Sequence, residues 1–331
     1  MEKQVIDENT MINEQLLNEF YSRMEQGQEL FIYRKGKKID QEKEGLLLIR
    51  CGFEKVVKMR ECPKKGCFLI KCVKSEKKEP KLSVIVPMYN EGRTADELLT
   101  LLINHEWIMD IEIIIVESNS SDGTREIAQK HAQANPGLVK LILEEKPMGK
   151  GNAVLNGIKQ AEGNYYAIQD GDLEYKVDDY DRLLKPIKDG EALFVLGSRY
   201  RKDDWKMRKF SEGGSKNNLI AGYLNFGQKL LTGVINLACG SKMTDPFTMY
   251  KIFHKDCMYG INFRGGKFGL DWEIVTRFLR KGYKPVEMQI TYNARSYAEG
   301  KKVDLIGNPL EGLKALWYSR VIADVYDYGD R

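Results

Sequence analysis

Leu82-Ser83-Val84-Ile85-Val86-Pro87 is a continuous apolar run rich in β-branched residues. That composition belongs to a strand buried on both faces of a parallel sheet. A helical pattern follows over residues 94–102, and Ile111-Glu112-Ile113-Ile114-Ile115-Val116 repeats the strand signal. Ser121-Asp122-Gly123-Thr124 reads as the cap of a helix that runs to about residue 134. Residues 139–143, 165–169 and 194–197 read as further strands, with a helix over 151–161. Strands alternating with helices predict a doubly wound, mostly parallel α/β sheet. Ligands of such sheets bind outside the carboxyl ends of the strands. Those ends carry Tyr89-Asn90-Glu91, Glu117-Ser118-Asn119, Asp170-Gly171-Asp172 and Ser198-Arg199.

Asp170 and Asp172 carry the most chemistry. They follow the apolar strand Tyr165-Tyr166-Ala167-Ile168, and a continued extended path would point both to one side. Gly171 between them lets a ligand approach the backbone. Two carboxylates on one side suit a hard divalent cation, Mg²⁺ or Mn²⁺, which typically bridges carboxylates to a diphosphate. Taken alone, the same pattern also ends many solvated turns. Lys150 lies between Gly149 and Gly151 at a helix start, where backbone N–H groups and the helix dipole favour anions. Asp271 and Glu273 enter another helix. Each is a candidate general base if a hydroxyl is to be activated, and each would also complement a helix dipole. His105, His131 and His254 have no triad-like context and read as structural.

The flanking regions differ. Residues 1–80 combine a helical pattern over 16–24 with strand-like pieces, and they close in the charged linker Lys74-Ser75-Glu76-Lys77-Lys78-Glu79-Pro80. They predict a small α+β accessory module. Gly52-Phe53-Glu54-Lys55-Val56 followed by Gly66-Cys67-Phe68-Leu69-Ile70 is similar to the final hairpin of a Rossmann-type methyltransferase, without a glycine-rich nucleotide loop before it. The spacing of Cys51, Cys62, Cys67 and Cys72 forms no paired Cys-x-x-Cys knuckles, so partly buried reduced thiols are expected over zinc. After residue 305, Leu310, Leu313, Leu316, Trp317 and Val321 recur at helical spacing. That stripe suits packing on the main domain or docking on a bilayer surface.

Composition narrows the classes. The chain of 331 residues is 42% hydrophobic and carries a net charge of +4, which supports a sizeable core and is too balanced to imply nucleic acid. No uninterrupted apolar segment approaches the ~20 residues that span a bilayer. The polar start Met1-Glu2-Lys3-Gln4 has no signal-peptide core. A cytoplasmic protein is expected, with peripheral membrane contact as an added expectation.

Several motifs together resemble family 2 glycosyltransferases of the GT-A fold, most closely the dolichyl-phosphate mannose synthases and related polyprenyl-phosphate glycosyltransferases. The resemblance covers residues 81–305. It rests on Val84-Ile85-Val86-Pro87-Met88-Tyr89-Asn90-Glu91, on Val116-Glu117-Ser118-Asn119-Ser120-Ser121-Asp122-Gly123-Thr124 and on Gly149-Lys150-Gly151-Asn152-Ala153. It also rests on Gln169-Asp170-Gly171-Asp172-Leu173-Glu174-Tyr175, Thr244-Asp245-Pro246-Phe247-Thr248-Met249-Tyr250-Lys251 and Arg295-Ser296-Tyr297-Ala298-Glu299-Gly300-Lys301-Lys302. Two departures stand out. The second strand end reads Glu117-Ser118 where the family usually has two aspartates, which leaves the base preference open. Gly171 replaces the usual alanine.

The resemblance implies an inverting, metal-dependent transferase with a nucleotide-diphospho-sugar transferase fold, preceded by the accessory module (1–80) and followed by a helical segment (306–331). The donor would be GDP-mannose or a UDP-sugar, and the acceptor a polyprenyl phosphate or a glycan. Pro87, Tyr89, Glu91, Glu117 and Ser118 would hold base and ribose. Lys150 would meet the diphosphate, and Asp170 and Asp172 would hold Mg²⁺ or Mn²⁺, with Asp170 also able to reach the ribose. Arg199, Arg295, Lys301 and Lys302 would form a cationic lid over phosphates. Asp271 would act as base toward a hydroxyl acceptor and would be dispensable for an ionised lipid phosphate. Other readings are a non-catalytic nucleotide-sugar-binding interaction protein, or a sugar-nucleotide pyrophosphorylase. The latter is disfavoured because its glycine-rich activating loop is absent from the first strand end.

Overall fold

The computed structural model describes residues 4–6, 12–35, 41–57, 67–76, 79–200, 214–264, 269–293 and 307–323. Two sheets organise them. The first contains β1 (Gln4–Ile6), β2 (Glu29–Lys35), β3 (Phe53–Val57) and β4 (Cys67–Lys74) in the order β1-β2-β4-β3, with helices α1 (Glu14–Arg23) and α2 (Gln41–Arg50). Asn13 caps α1 by accepting from the Leu16 N–H at 2.8 Å. Leu17, Leu30, Ile32 and Leu48 form a separate small core with the buried free thiols Cys51 and Cys72. The Cys72 thiol faces the Leu30 carbonyl. Cys62 and the side chain of Cys67 lie outside the described residues.

The second sheet has seven strands. In chain order, the elements are β5 (Lys81–Met88), α3 (Ala95–Asn104), β6 (Asp110–Glu117), α4 (Thr124–Ala134), β7 (Val139–Leu143), α5 (Lys150–Lys159), β8 (Tyr165–Ile168) and α6 (Tyr180–Lys188). There follow β9 (Phe194–Ser198), α7 (Gly214–Cys239), β10 (Lys251–His254), α8 (Lys255–Met258), α9 (Gly269–Lys281), β11 (Val286–Gln289) and α10 (Gly307–Trp317). The strand order is β11-β9-β10-β8-β5-β6-β7, all parallel except β10, which runs antiparallel to both its neighbours.

The apolar run that opens this sheet is buried on both faces, as its composition demands. Leu82, Val84 and Val86 join the main core, while Ile85 turns to the opposite face against Ile114, Val116 and Ala153. Gly157 lets α5 lie close over β5, since a Cβ there would stand 2.5 Å from Ile85 Cγ2. β5 runs one residue past Pro87, so the proline does not end it. β10 and β11 had no counterpart in the expected alternation.

The first sheet packs against the layer of the second through α2 and β3. Leu46 and Ile49 pack against the main core, Glu54 pairs with Lys255, and Glu42 accepts from the Lys284 N–H at 3.3 Å. At the other end, α10 crosses α9 at Gly312, whose missing Cβ leaves room for the Trp272 indole. Leu316 is buried there, and the side chain of Leu310 lies outside the described residues.

Candidate active site

β5, β6, β8 and β9 end on one side of the sheet, and the antiparallel β10 begins on that side. The chain leaves three of these ends through left-handed residues: Asn90 (φ 56°), Asn119 (φ 57°) and Leu173 (φ 57°). Asparagine tolerates this conformation because its amide bonds locally, and Asn90 Oδ1 accepts from the Ser121 N–H at 3.1 Å. A leucine does not. The backbone at Leu173, directly after Asp172, is strained and must be held by its packing against the core.

β8 stops at Ile168, so the extended path does not continue. Gly171 and Asp172 form a turn instead. The turn is held from below, where Thr94 Oγ1 donates to the Gly171 carbonyl at 2.6 Å and Asp172 Oδ1 accepts from the Glu174 N–H at 3.2 Å. The Glu91 side chain lies against Gly171, where a Cβ would come within 3.0 Å of Glu91 Cγ. Tyr89 stands exposed at the end of β5, and Pro87 is half-buried beside Val116 of β6.

Lys150 opens α5 behind Gly149, whose φ of 94° suits only glycine. Its ammonium pairs with Asp170 Oδ1. Burial lowers the tendency of this ammonium to stay charged, but Asp170, Asp271 and Asp172 together outweigh it and hold its pKa above the usual lysine value. Lys150 is therefore paired with Asp170 and also feels the charges of Asp271 and Asp172.

Asp271 lies in the first turn of α9, with Oδ1 3.5 Å from Lys251 Nζ. Lys251 opens β10, is fully buried and also donates to the Thr248 carbonyl. Burial pulls its pKa below the usual value despite the attraction of Asp271 and Asp245. Asp245 is fully buried in turn and clamps Arg199 bidentately, with Nε–Oδ2 at 2.7 Å and Nη2–Oδ1 at 2.8 Å. Burial alone would raise the Asp245 carboxyl, but Arg199 holds it below the usual range. Three opposite-charge pairs thus stand here, Arg199 with Asp245, Lys251 with Asp271 and Lys150 with Asp170.

Three expected roles change. Arg199 is not a lid. Its side chain is 7% exposed and lies in the buried pair with Asp245, with its guanidinium over the Tyr292 ring. Glu117 has no exposed surface and accepts from the Ser120 N–H at 2.6 Å and from Arg125 Nε at 2.5 Å. Burial raises its carboxyl, but these bonds outweigh that and hold it low, so it braces the strand-end loop. Ser118 is buried and donates to Glu144 Oε2 at 2.7 Å. Glu273, the other base candidate, is also buried, which raises its carboxyl, and it accepts from the Arg264 N–H at 3.1 Å. Arg295, Lys301 and Lys302 lie outside the described residues.

Each of the three histidines has a hydrogen-bonding partner. His105 meets Asp181 at 3.0 Å, His131 meets Asp96 at 2.8 Å, and His254 accepts from the Asp256 N–H at 3.2 Å. Asp245 and Lys251 were quoted in a motif but given no role. The available signal was a lysine inside the apolar run Met249-Tyr250-Lys251-Ile252-Phe253, since a charge in a buried strand requires a partner.

A mostly parallel sheet with carboxylates at the end of β8 and a glycine-lysine-glycine helix start defines the nucleotide-diphospho-sugar transferase fold of the GT-A type. Residues 83–252 match the family described as "Glycosyl transferase family 2", and the chain belongs to that family. It is similar to a dolichol-phosphate mannosyltransferase of Pyrococcus furiosus, 29% identical over 226 residues that cover 67% of this chain and 59% of the relative. It is also similar to an undecaprenyl-phosphate 4-deoxy-4-formamido-L-arabinose transferase of Proteus mirabilis, 23% identical over 67% of this chain and 62% of the relative. The chain thus spans about three fifths of the length of these two relatives. Among solved structures, glucosyl-3-phosphoglycerate synthase from Mycobacterium tuberculosis, in complex with Mn²⁺, UDP and glucosyl-3-phosphoglycerate, shares the fold. Its TM-score is 0.51 and its identity 19%, covering 74% of this chain and 81% of that one.

Proposed function

We propose that the protein is an inverting, divalent-metal-dependent glycosyltransferase that moves a sugar from a nucleotide-sugar donor, GDP-mannose or a UDP-sugar, to a polyprenyl phosphate. The observation that carries this reading is the pairing of Asp170 with Lys150, beside Asp172, at the end of β8. Among the described residues, no group of three or more carboxylate, imidazole or thiol side chains converges as a complete metal cage. Two hard carboxylates suit Mg²⁺ or Mn²⁺, which is commonly held by one or two carboxylates plus substrate phosphates. Asp170 and Asp172 would hold the ion. Bound there, it would relieve charge on the departing diphosphate. The M. tuberculosis structure, with Mn²⁺ and UDP on the same fold, supports this choice.

The remaining roles follow from the chain's own groups. Lys150, at the start of α5, faces the diphosphate with a fixed positive charge and the helix dipole behind it. Glu91, beside Gly171, and Tyr89, exposed at the end of β5, bound the space for ribose and base, with Pro87 shaping the end of that strand. Arg295, Lys301 and Lys302 are the proposed cations for the acceptor phosphate. Asp271 already has a partner in Lys251, 3.5 Å away. An ionised lipid phosphate needs no general base, and the names of the two sequence relatives agree with such an acceptor.

The test combines binding and turnover. UDP or GDP with Mn²⁺ should raise the melting temperature of the wild type, a ligand at 100 times its Kd adding about 2.7 kcal/mol. Asp172→Asn should lose the Mn²⁺-dependent part of that shift. With donor supplied, Asp271→Asn should keep most transfer to a polyprenyl phosphate. A metal-dependent shift unchanged in Asp172→Asn would remove the metal assignment. A loss of about 10²–10⁴-fold in the Asp271 variant would point instead to a glycan hydroxyl. Donor binding without transfer or hydrolysis would leave a non-catalytic binding protein.

A further inference from the structure

Helix α7 carries apolar residues on both faces, with Ile235 buried in the main core. Its inner face carries the buried polar residues Asn225, Gln228 and Thr232, and Gln228 Nε2 donates to Asp245 Oδ1 at 3.2 Å. Its outer face exposes Phe226 (64%), Leu230 (61%), Val234 (38%) and Leu237 (88%). The spacing of four, four and three residues keeps these on one stripe. Helix α10 and the turn after it continue the apolar surface with Leu313, Trp317 (59% exposed) and Val321 (64%). The two stripes meet at their carboxyl ends, where Arg320 Nε donates to the Ala238 carbonyl at 2.9 Å. A contiguous apolar surface of this kind marks an interaction site.

The charges around it select the occupant. Residues 214–243 contain Lys216, Lys229 and Lys242 and no acidic residue. Lys229, Lys242, Lys314 and Arg320 are exposed beside the two stripes. A second copy docking here would set these cations against one another. An anionic lipid surface would complement them, with the indole of Trp317 at the headgroup level. Among the described residues no helix is long and apolar enough to cross a membrane, so this surface would lie on a bilayer and not span it.

We propose that α7 and α10 form a docking face for an anionic lipid bilayer, which seats the site beside the membrane. This deepens the lipid-phosphate reading and rests on it only for the reason why docking is useful. Through Gln228, the helix that lies on the lipid is bonded directly to the Arg199–Asp245 pair. Docking therefore fixes the orientation of the site as well as its distance from the acceptor.

The experiment is vesicle flotation of the full chain. Vesicles of phosphatidylcholine with about one third phosphatidylglycerol should carry the wild type, and pure phosphatidylcholine should carry much less. The double variant Leu237→Asp/Trp317→Asp should lower partitioning by at least about tenfold, because both side chains are exposed in the free protein and lose only their lipid contact. Lys242→Glu/Lys314→Glu should lower it on anionic vesicles alone. The Mn²⁺–nucleotide melting shift, measured on each variant, reports folding and donor binding separately. If that shift is absent while flotation persists, the donor reading fails and the docking face stands. A wild type that stays unbound, or an aspartate variant that floats equally well, overturns the docking face. So does a vesicle-independent dimer that the aspartates dissociate, which would assign the surface to a second copy.

Discussion

At the scale of single residues, the site is built from opposite-charge pairs, and each member's role depends on its partner. Arg199→Ala should cost about 3–5 kcal/mol, because it leaves Asp245 charged and buried without its bidentate partner. Arg199→Met/Asp245→Asn should recover much of that loss, and urea unfolding of the single and double variants checks both. A lid arginine would show the reverse, with weakened phosphate binding and normal stability. Lys150 predicts a linkage of opposite signs. Without nucleotide it competes with a cation for Asp170, so Lys150→Met should tighten Mn²⁺ binding by about tenfold, the order expected for one neighbouring unit charge in a partly solvated site. With UDP or GDP present the same change should weaken Mn²⁺ binding, because the diphosphate loses its counter-charge. Electron paramagnetic resonance of free Mn²⁺ reads both arms, and equal effects of one sign would refute the competition. Asp170, Asp172 and Lys150 were legible in the sequence because strand ends and a glycine-flanked helix start are local signals. Glu117 was legible as a strand-end carboxylate, but its neutraliser was not. Arg125 lies on the following helix, and only the fold turns it back.

At the scale of elements, the parallel strands and their helices were readable from apolar runs and caps, whereas β10 was not. An antiparallel strand of four residues has no periodicity of its own, and its place between β8 and β9 is decided by pairing distant in sequence. That reversal brings its first residue, Lys251, to the ligand side. Helix packing gives a paired prediction. A Cβ on Gly312 would stand 2.1 Å from the Trp272 ring, so Gly312→Ala should destabilise by about 1–3 kcal/mol through overpacking. A Cβ on Gly233 of α7 meets nothing within 4 Å, so Gly233→Ala should stabilise by about 0.5–1 kcal/mol through helix propensity. Thermal unfolding of both variants checks the contrast. Because Trp272 follows Asp271, movement of α10 in the first variant should also disturb the start of α9.

At the scale of the molecule, the charged linker near residue 80 suggests a boundary, while the docking of the first sheet was not legible, since it depends on side chains brought together from far apart. We propose that residues 1–80 form a separable module. A chain starting at Lys81 should fold and still show the Mn²⁺–nucleotide melting shift. It should melt several degrees lower, at about 2–4 °C per kcal/mol for a domain of this size, because the partners of Leu46 and Ile49 become exposed. Loss of soluble protein would show that the module completes the catalytic core. The way the module attaches has a mechanical consequence. Glu54 grips Lys255, and only the three residue steps of β10 separate the end of that strand from Lys251, a reach of about 10 Å. The strand is hydrogen-bonded along both edges and behaves as a short stiff rod. Its far tip is the ammonium beside Asp271. A load applied to the module, by a tether or a bound protein, would reach that tip through the half-exposed Glu54–Lys255 pair and the strand.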